Sequence, residues 1–359
     1  SYSIGSSSLL YFDGAVRSMG PGSDVSGGGG VRVIGGASVT SNGTFQPHDL
    51  RIESGGLVQI DSASPQTLQT LFLQNGTLTG NAEIRIGTRF DWRHAGVVDS
   101  VGASPGPLVI QSGALLELCG GLCTLSNRVL RIEGMADWGG GVVEVPAGAA
   151  AKIVVASGGT LQTDSFKSAA RYRCAAPTCT VEMEVEGSLL EVGDGAIFEL
   201  TSPLLVNGGL LSIDGSFMQA PGVTMSDGAI AVDSYLTASP VVLNGGVLRG
   251  TGYIDGNVDN IAGRVQPGAS PGRISIGGSY FQGPAGILDI QVGGLSPGVE
   301  SDYVDVTFGC SIDGSLNVTN AGFPLTVPST LDFLGCGYGL SGVFSTTNIA
   351  YPGYQRSEE

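Results

Sequence analysis

One phrase keeps returning along this chain: an apolar–x–apolar triplet, two polar or small residues, glycine followed by glycine or a small residue, then another apolar run. It reads Leu50-Arg-Ile52-Glu-Ser-Gly55-Gly56-Leu57, then Leu71-Phe-Leu73-Gln-Asn75-Gly76-Thr77-Leu78, then Leu108-Val-Ile110-Gln-Ser-Gly113-Ala-Leu115. Further copies place Val155, Val206 and Leu243 shortly before Gly158, Gly208 and Gly245. The leading glycines recur at intervals near ~20 residues, some nearly double, which is the signature of a solenoid. No interval carries an amphipathic helix, so the strand–helix alternation of a doubly wound sheet is missing.

The expected fold is therefore all-β: a single-stranded parallel β-helix, right-handed, in which each rung covers the apolar edge of the next. In that fold Ile52, Leu73, Ile110, Val155, Val206 and Leu243 all point inward, because each holds the same place before a turn glycine and strand side chains alternate with period two. Composition agrees. The 60 Gly and 17 Pro are too many for helices, while 42% hydrophobic residues is too many for a disordered linker. A solenoid grows along one axis without a second core, so the length predicts one continuous body. Its expected parts are an N-terminal capping or assembly segment over 1–45, a β-helix body over 46–265, and a closing region over 266–359.

Sixteen Lys+Arg stand against 32 Asp+Glu, a net charge of −16. No basic run exists that could neutralise phosphates, which excludes nucleic acid as a partner. Anionic polysaccharides and acidic membrane surfaces are disfavoured on the same ground unless metal ions bridge. The apolar stretches are too short for a membrane span. The start at Ser1, without an initiator Met, reads as the end of a processed, secreted protein.

Cysteine use points the same way. The six cysteines fall into local pairs, Cys119/Cys123, Cys174/Cys179 and Cys310/Cys336, and nearest-neighbour bridging suits a solenoid, where distant residues lie many rungs apart. Zinc is the rival reading of the first two pairs, but their spacing is irregular. Disulfides imply an oxidising, extracellular location. Sequons occur at Asn42, Asn75 and Asn317 and are candidate N-glycan acceptors in a eukaryotic secreted protein.

From about residue 243 the wording becomes specific. Leu243-Asn-Gly-Gly-Val-Leu-Arg-Gly-Thr-Gly-Tyr-Ile-Asp-Gly-Asn-Val-Asp-Asn260 leads into Gly263-Arg-Val-Gln-Pro-Gly-Ala-Ser-Pro-Gly272, followed by Gly286-Ile-Leu-Asp-Ile290 and Ile312-Asp-Gly-Ser-Leu-Asn-Val318. Over roughly residues 240–350 this resembles the C-terminal passenger region of bacterial autotransporter and haemagglutinin-like β-helix proteins. A shorter echo of the Ala-Ser-Pro-Gly phrase lies at Gly102–Gly106. The resemblance implies an extracellular fibrous or adhesive role. Six cysteines and the absence of a C-terminal barrel from the sequence depart from the family pattern, and fit a secreted relative better than a surface-tethered passenger.

No catalytic series is legible: no hydrolase-type series of Asn-x-Asp, Asp-Asp, Gly-His-Gly or Arg-Ile-Lys phrases, no Gly-x-Ser-x-Gly elbow in a strand-to-helix setting and no phosphate loop. The most chemically mixed stretch, Asp91-Trp92-Arg93-His94, reads as a lateral loop with ligand potential where a rung is overlong. Asp255, Asn257 and Asp259 have the i, i+2, i+4 oxygens of a calcium loop, but they also fit a plain rung with Ile254 and Val258 inward. No cofactor is expected. The N-terminal stretch, with Tyr2, Ile4, Leu9, Leu10, Tyr11 and Phe12, reads as a strand able to add to the open edge of a neighbour and build a head-to-tail homopolymer, or else to cap its own chain. The sequence thus predicts a non-enzymatic secreted solenoid, the protomer of a fibre or surface layer. The alternatives are a monomeric adhesin for cell-surface glycans and a polysaccharide-active enzyme.

Overall fold

The computed structural model describes residues 1–102, 104–118, 120–163, 169–176, 178–186, 197–215, 217–268, 271–324 and 330–350, together with the backbone of 189–192. Every regular element among them is a strand, and the ladders between strands are parallel, so the chain is a parallel β-solenoid. It divides into two compact units, Ser1–Ser202 and Pro203–Glu359.

In the first unit each rung lays one long bent strand, or two short ones, into one sheet and a short strand into a second. Thr44–Glu53 is followed by Leu57–Ile60, and the next rung repeats this with Gln66–Gln74 and Thr77–Thr79. The register aligns the repeated phrases themselves: Leu50 lies beside Leu71, Ile52 beside Leu73, and Val58 beside Leu78. Alternation does the rest. In Leu57–Ile60 and Val129–Ile132 every second residue is buried, and each such aliphatic side chain taken from water contributes about 1.5–3 kcal/mol. Ile52, Leu73, Ile110 and Val155 are all fully buried, as the phrase requires.

The glycine phrase marks one corner of the rung. There the chain turns through the left-handed region at Gly35, Ser54, Asn75 and Ala95, with φ of 61°, 52°, 48° and 55°. Backbone bonds tie these corners together, Gly36 N–H to Ser54 O at 3.2 Å and Asn75 N–H to His94 O at 3.0 Å. Gly55 itself has φ +81°, and a Cβ on Gly56 would lie 2.4 Å from the Val33 carbonyl oxygen of the preceding rung. The pair is therefore fixed twice, once by conformation and once by close approach.

The second unit begins with the long strands Leu204–Ile213 and Val223–Val232, then settles into three short strands per rung. Val258–Asn260, Arg264–Pro267 and Arg273–Ile276 form one such turn. The register stacks Val241 on Val258, Leu248 on Val265 and Ile254 on Ile276, and all six are buried. Val206 and Leu243 are buried in the same manner. On the outer surface Phe217, Tyr235 and Tyr253 stack rung upon rung, with ring centroids 5.4 and 5.1 Å apart.

Two of the expected cysteine pairs lie at bonding distance. Cys174–Cys179, Cα atoms 5.7 Å apart, closes a turn in the first unit. Cys310–Cys336, Cα atoms 5.8 Å apart, cross-links successive rungs of the second. Cys119 lies outside the described residues, so the pairing expected for Cys119 and Cys123 is not described; Cys123 is buried with its Sγ 3.2 Å from the Arg93 carbonyl oxygen.

The N-terminal strand pairs within its own chain. It was expected to add to a neighbour's edge or to cap its own chain, and the structure gives it the second position. Tyr2 and Ser3 pair with Val25 and Ser26, and Leu9–Asp13 pairs with the strand Asp24–Ile34. Ile4 and Phe12 are buried in the first unit's own core, Leu10 is half-buried, and Tyr2, Leu9 and Tyr11 face outward.

Candidate functional site

Half of the stretch Asp91–His94 is strand: Asp91 and Trp92 close one, and Arg93 and His94 lead into the turn that follows. Arg89, Asp91 and Trp92 belong to the strand Ile84–Trp92, and Trp92 occupies the inward column of Ile52 and Leu73, fully buried, stacked on Phe90 at 5.6 Å. Its indole N–H donates to the Gly96 carbonyl at 2.9 Å. Trp92 is thus a core residue and unavailable to a ligand, a correction that the period of two explains: it lies one rung beyond Leu73 in the same column.

Outward on that strand, Asp91 stands in register with Glu117 and Asp137 on the next two rungs. Neighbouring arginines neutralise the first two. Arg89 Nε is 2.9 Å from Asp91 Oδ1 and its Nη2 2.7 Å from Glu117 Oε2, while Arg93 Nη2 lies 3.5 Å from Glu117 and 3.7 Å from Asp91. His94 packs elsewhere, close enough to Gly121 that a Cβ there would lie 2.3 Å from His94 Nδ1. Arg93 therefore sits beside two carboxylates, but both are already paired on a sheet face. This arrangement suits cross-rung stabilisation better than proton transfer, which needs an acid and a base left available to substrate.

The structure also separates the other candidates. Asp255 accepts the Tyr235 hydroxyl at 3.2 Å, Asn257 accepts the Ser279 N–H at 2.9 Å, and Asp259 belongs to the next strand, Val258–Asn260. Asp255 and Asn257 thus have separate partners, Asp255 and Asp259 lie on different strands, and Ile254 and Val258 are buried. Among the described residues no group of His, Cys, Asp and Glu is arranged to hold a metal ion. Asn42 and Asn75 lie exposed on turns, whereas Asn317 stands within the strand Ser315–Asn320, its amide donating to Asp289 at 2.8 Å and its oxygen accepting from Asn348 at 2.8 Å.

Two clefts lie beside described residues of the Ala-Ser-Pro-Gly phrases. In the first unit a cleft of about 570 Å³ lies beside residues Ser100, Gly102 and Pro105. Its floor includes Arg128, which is 2% exposed. The guanidinium donates to the carbonyls of Gly106 and Asp99 at 3.1 Å each, and to that of Ala82. Burial lowers its pKa to about 10, against the opposing pull of Asp99.

In the second unit a larger cleft of about 830 Å³ borders Gly268. Asp302, 3% exposed, accepts the N–H of Gly272 at 2.9 Å and that of Gln291 at 2.8 Å. Across the cleft runs a ladder of polar side chains. Asp289 accepts from Arg264, from Gln266 at 2.8 Å and from Asn317 at 2.8 Å, and Asn348 continues the line on the following rung. Gln291 and Thr319 flank it. This is the best-built site among the described residues. Its members sit in plain outward strand positions, so they could have been found only by aligning rungs in register; Asn317 was noticed for its sequon alone, and Arg128 and Asp302 carried no signal.

In comparisons with known proteins, no family model matches the chain and no curated protein is significantly similar to it.

Proposed function

We propose that this protein is an extracellular, non-catalytic β-solenoid with a structural and adhesive role, presenting its sheet faces to cell-surface or matrix material. The observation that carries the reading is the second unit's cleft, where a polar ladder is organised across successive rungs of a rigid sheet. Two further features support it. The cysteine pairs at bonding distance fit an oxidising compartment, and the carboxylates beside Arg93 are held by arginines. The resemblance of residues 240–350 to autotransporter passengers points the same way but rests on their wording alone. No helix among the described residues is long and apolar enough to cross a membrane.

Of the roles expected for such a solenoid, adhesion is favoured over polymerisation by strand exchange, because Ser1–Asp13 is placed on its own chain. The test is to incubate the protein with intact cell-surface and matrix preparations, measuring both retention and the release of new reducing ends. Retention without new ends is expected. Release of sugar ends would make it an enzyme, and absence of retention would remove the adhesive role; filaments in negative-stain images of the native material would restore the fibre reading.

A further inference from the structure

We propose that the cleft of the second unit is a binding site for a neutral oligosaccharide, held by Gln266, Asp289, Gln291, Asn317 and Asn348. This assignment rests on the adhesive reading and gives it a ligand class. The argument begins with charge. The Arg264 guanidinium pairs with Asp289 inside the cleft, and the Asp302 carboxylate is taken up by two backbone N–H groups. The cation is paired with Asp289 and the one excess negative charge, on Asp302, is taken up by backbone donors, so no charge is left to hold an ionic ligand, and a whole-chain charge of −16 repels polyanions besides.

Hydrogen-bonding capacity narrows the choice further. A bound anion asks for donors only and a bound cation for acceptors only, but the amides of Gln266, Gln291, Asn317 and Asn348 each supply both. The ligand that uses both at every position is one with vicinal hydroxyls, which donate and accept in alternation. The network leaves that capacity open. Asn348 gives one N–H to Asn317, which gives one to Asp289, so each amide keeps a second N–H, and Asn348 keeps its oxygen. The Gln291 side chain stands beside them. Because the side chains already hold one another in place, a ligand would meet them with little further loss of rotamer freedom.

Size fits an oligomer better than a single sugar. The cleft crosses the strands Arg264–Pro267, Ile287–Val292, Ser315–Asn320 and Thr346–Ala350. Four strands at ~4.8 Å spacing give a polar track about 14 Å long, and a cavity of about 830 Å³ is within the range of small-ligand sites.

The test is affinity electrophoresis of the whole chain through gels containing xylan, mixed-linkage β-glucan, mannan or polygalacturonate, with Asn348→Ala and Gln291→Ala beside the wild type. Circular dichroism and melting temperature confirm that each variant is folded, and Gln291→Ala is included because Gln291 lines the cleft beside the Asp289 network, whose donors are Arg264, Gln266 and Asn317. Retardation by at least one neutral polymer and none by polygalacturonate is expected, weakened about tenfold or more by Asn348→Ala and several-fold by Gln291→Ala. If the wild type is retarded and both folded variants are retarded equally, the cleft is not the site, although the adhesive reading stands. If no neutral polymer retards a protein that is still retained on cell surfaces, the glycan assignment is wrong and the adhesive role belongs to another ligand. If retention on cell surfaces fails as well, both readings fall together.

Discussion

The two Ala-Ser-Pro-Gly loops share their wording and are held by opposite charges. At residues 99–107 of the first unit the buried group is the Arg128 guanidinium, donating to three carbonyls. At Pro267–Gly272 of the second it is the Asp302 carboxylate, accepting two N–H groups. In both places a buried charged side chain supplies partners to backbone groups, which must be satisfied when they are buried. Beside the first phrase the groups to be met are the carbonyls of Ala82, Asp99 and Gly106, which take a cation, and beside the second the N–H groups of Gly272 and Gln291, which take an anion. The pin comes in each case from the following rung, immediately before Val129–Ile132 in one and Tyr303–Val306 in the other.

The sharpest way to break this comparison is to remove each pin. Arg128→Met should be the most damaging single change, costing about 3–5 kcal/mol, because it strands three carbonyls that a thioether cannot satisfy; denaturant unfolding measures the loss, and limited proteolysis should cut within residues 99–107. Unchanged stability would mean that water replaces the guanidinium without cost. Replacing Cys310 and Cys336 together by Ser should cost about 3 kcal/mol, since that bridge closes a loop with a sequence separation of 26. The Cys174/Cys179 pair, with a separation of 5, should cost about 2 kcal/mol by the same measurement.

Asp302→Asn should cost less than the loss of Arg128, about 1.5–3 kcal/mol, because the amide keeps one oxygen and sets an N–H against the backbone donors. Exchange of the Gly272 and Gln291 amides with deuterated water should rise selectively in that variant. The smallest effect is expected from acid. The Asp313 carboxyl is held below its ordinary value by the Ser345 hydroxyl first and the Gly314 N–H second. With a lowered folded value, its contribution is present above the ordinary carboxylate range and lost as pH falls through that lowered value. Protection of the amides around Thr346, measured against intrinsic exchange at each pH, should then fall somewhat in acid in the wild type, and no such difference should remain in Asp313→Asn.

The solenoid was legible because its signal is repetition. Ile52, Leu73 and Ile110 each precede a turn glycine, and one phrase read correctly reads them all. Trp92 was misplaced because its rung departs from the phrase, with Ala95 and Gly96 at the corner where Gly55 and Gly56 stand earlier. Only the register, which sets Trp92 beside Leu73, shows it facing inward. The polar cleft was invisible for a different reason. Asp289, Asn317 and Asn348 are far apart in sequence, and nothing local distinguishes them from solvent-facing strand residues until rungs are laid one on another. Buried Arg128 and Asp302 answer to backbone groups elsewhere, and a linear sequence does not reveal where those groups point.

The in-register stacking of the first unit turns its outer face into a ruler. Tyr11, Arg32, Arg51, Phe72, Asp91 and Glu117 form a single file, each one strand spacing from the next. A chemical group can therefore be moved along the surface in fixed steps of ~4.8 Å by choosing the equivalent residue one rung on, without altering the interior positions that alternate with it. Two groups can be set at a chosen multiple of that step by two substitutions alone. Few folds offer such graduated spacing, since on a helix the same displacement also rotates the group around the axis.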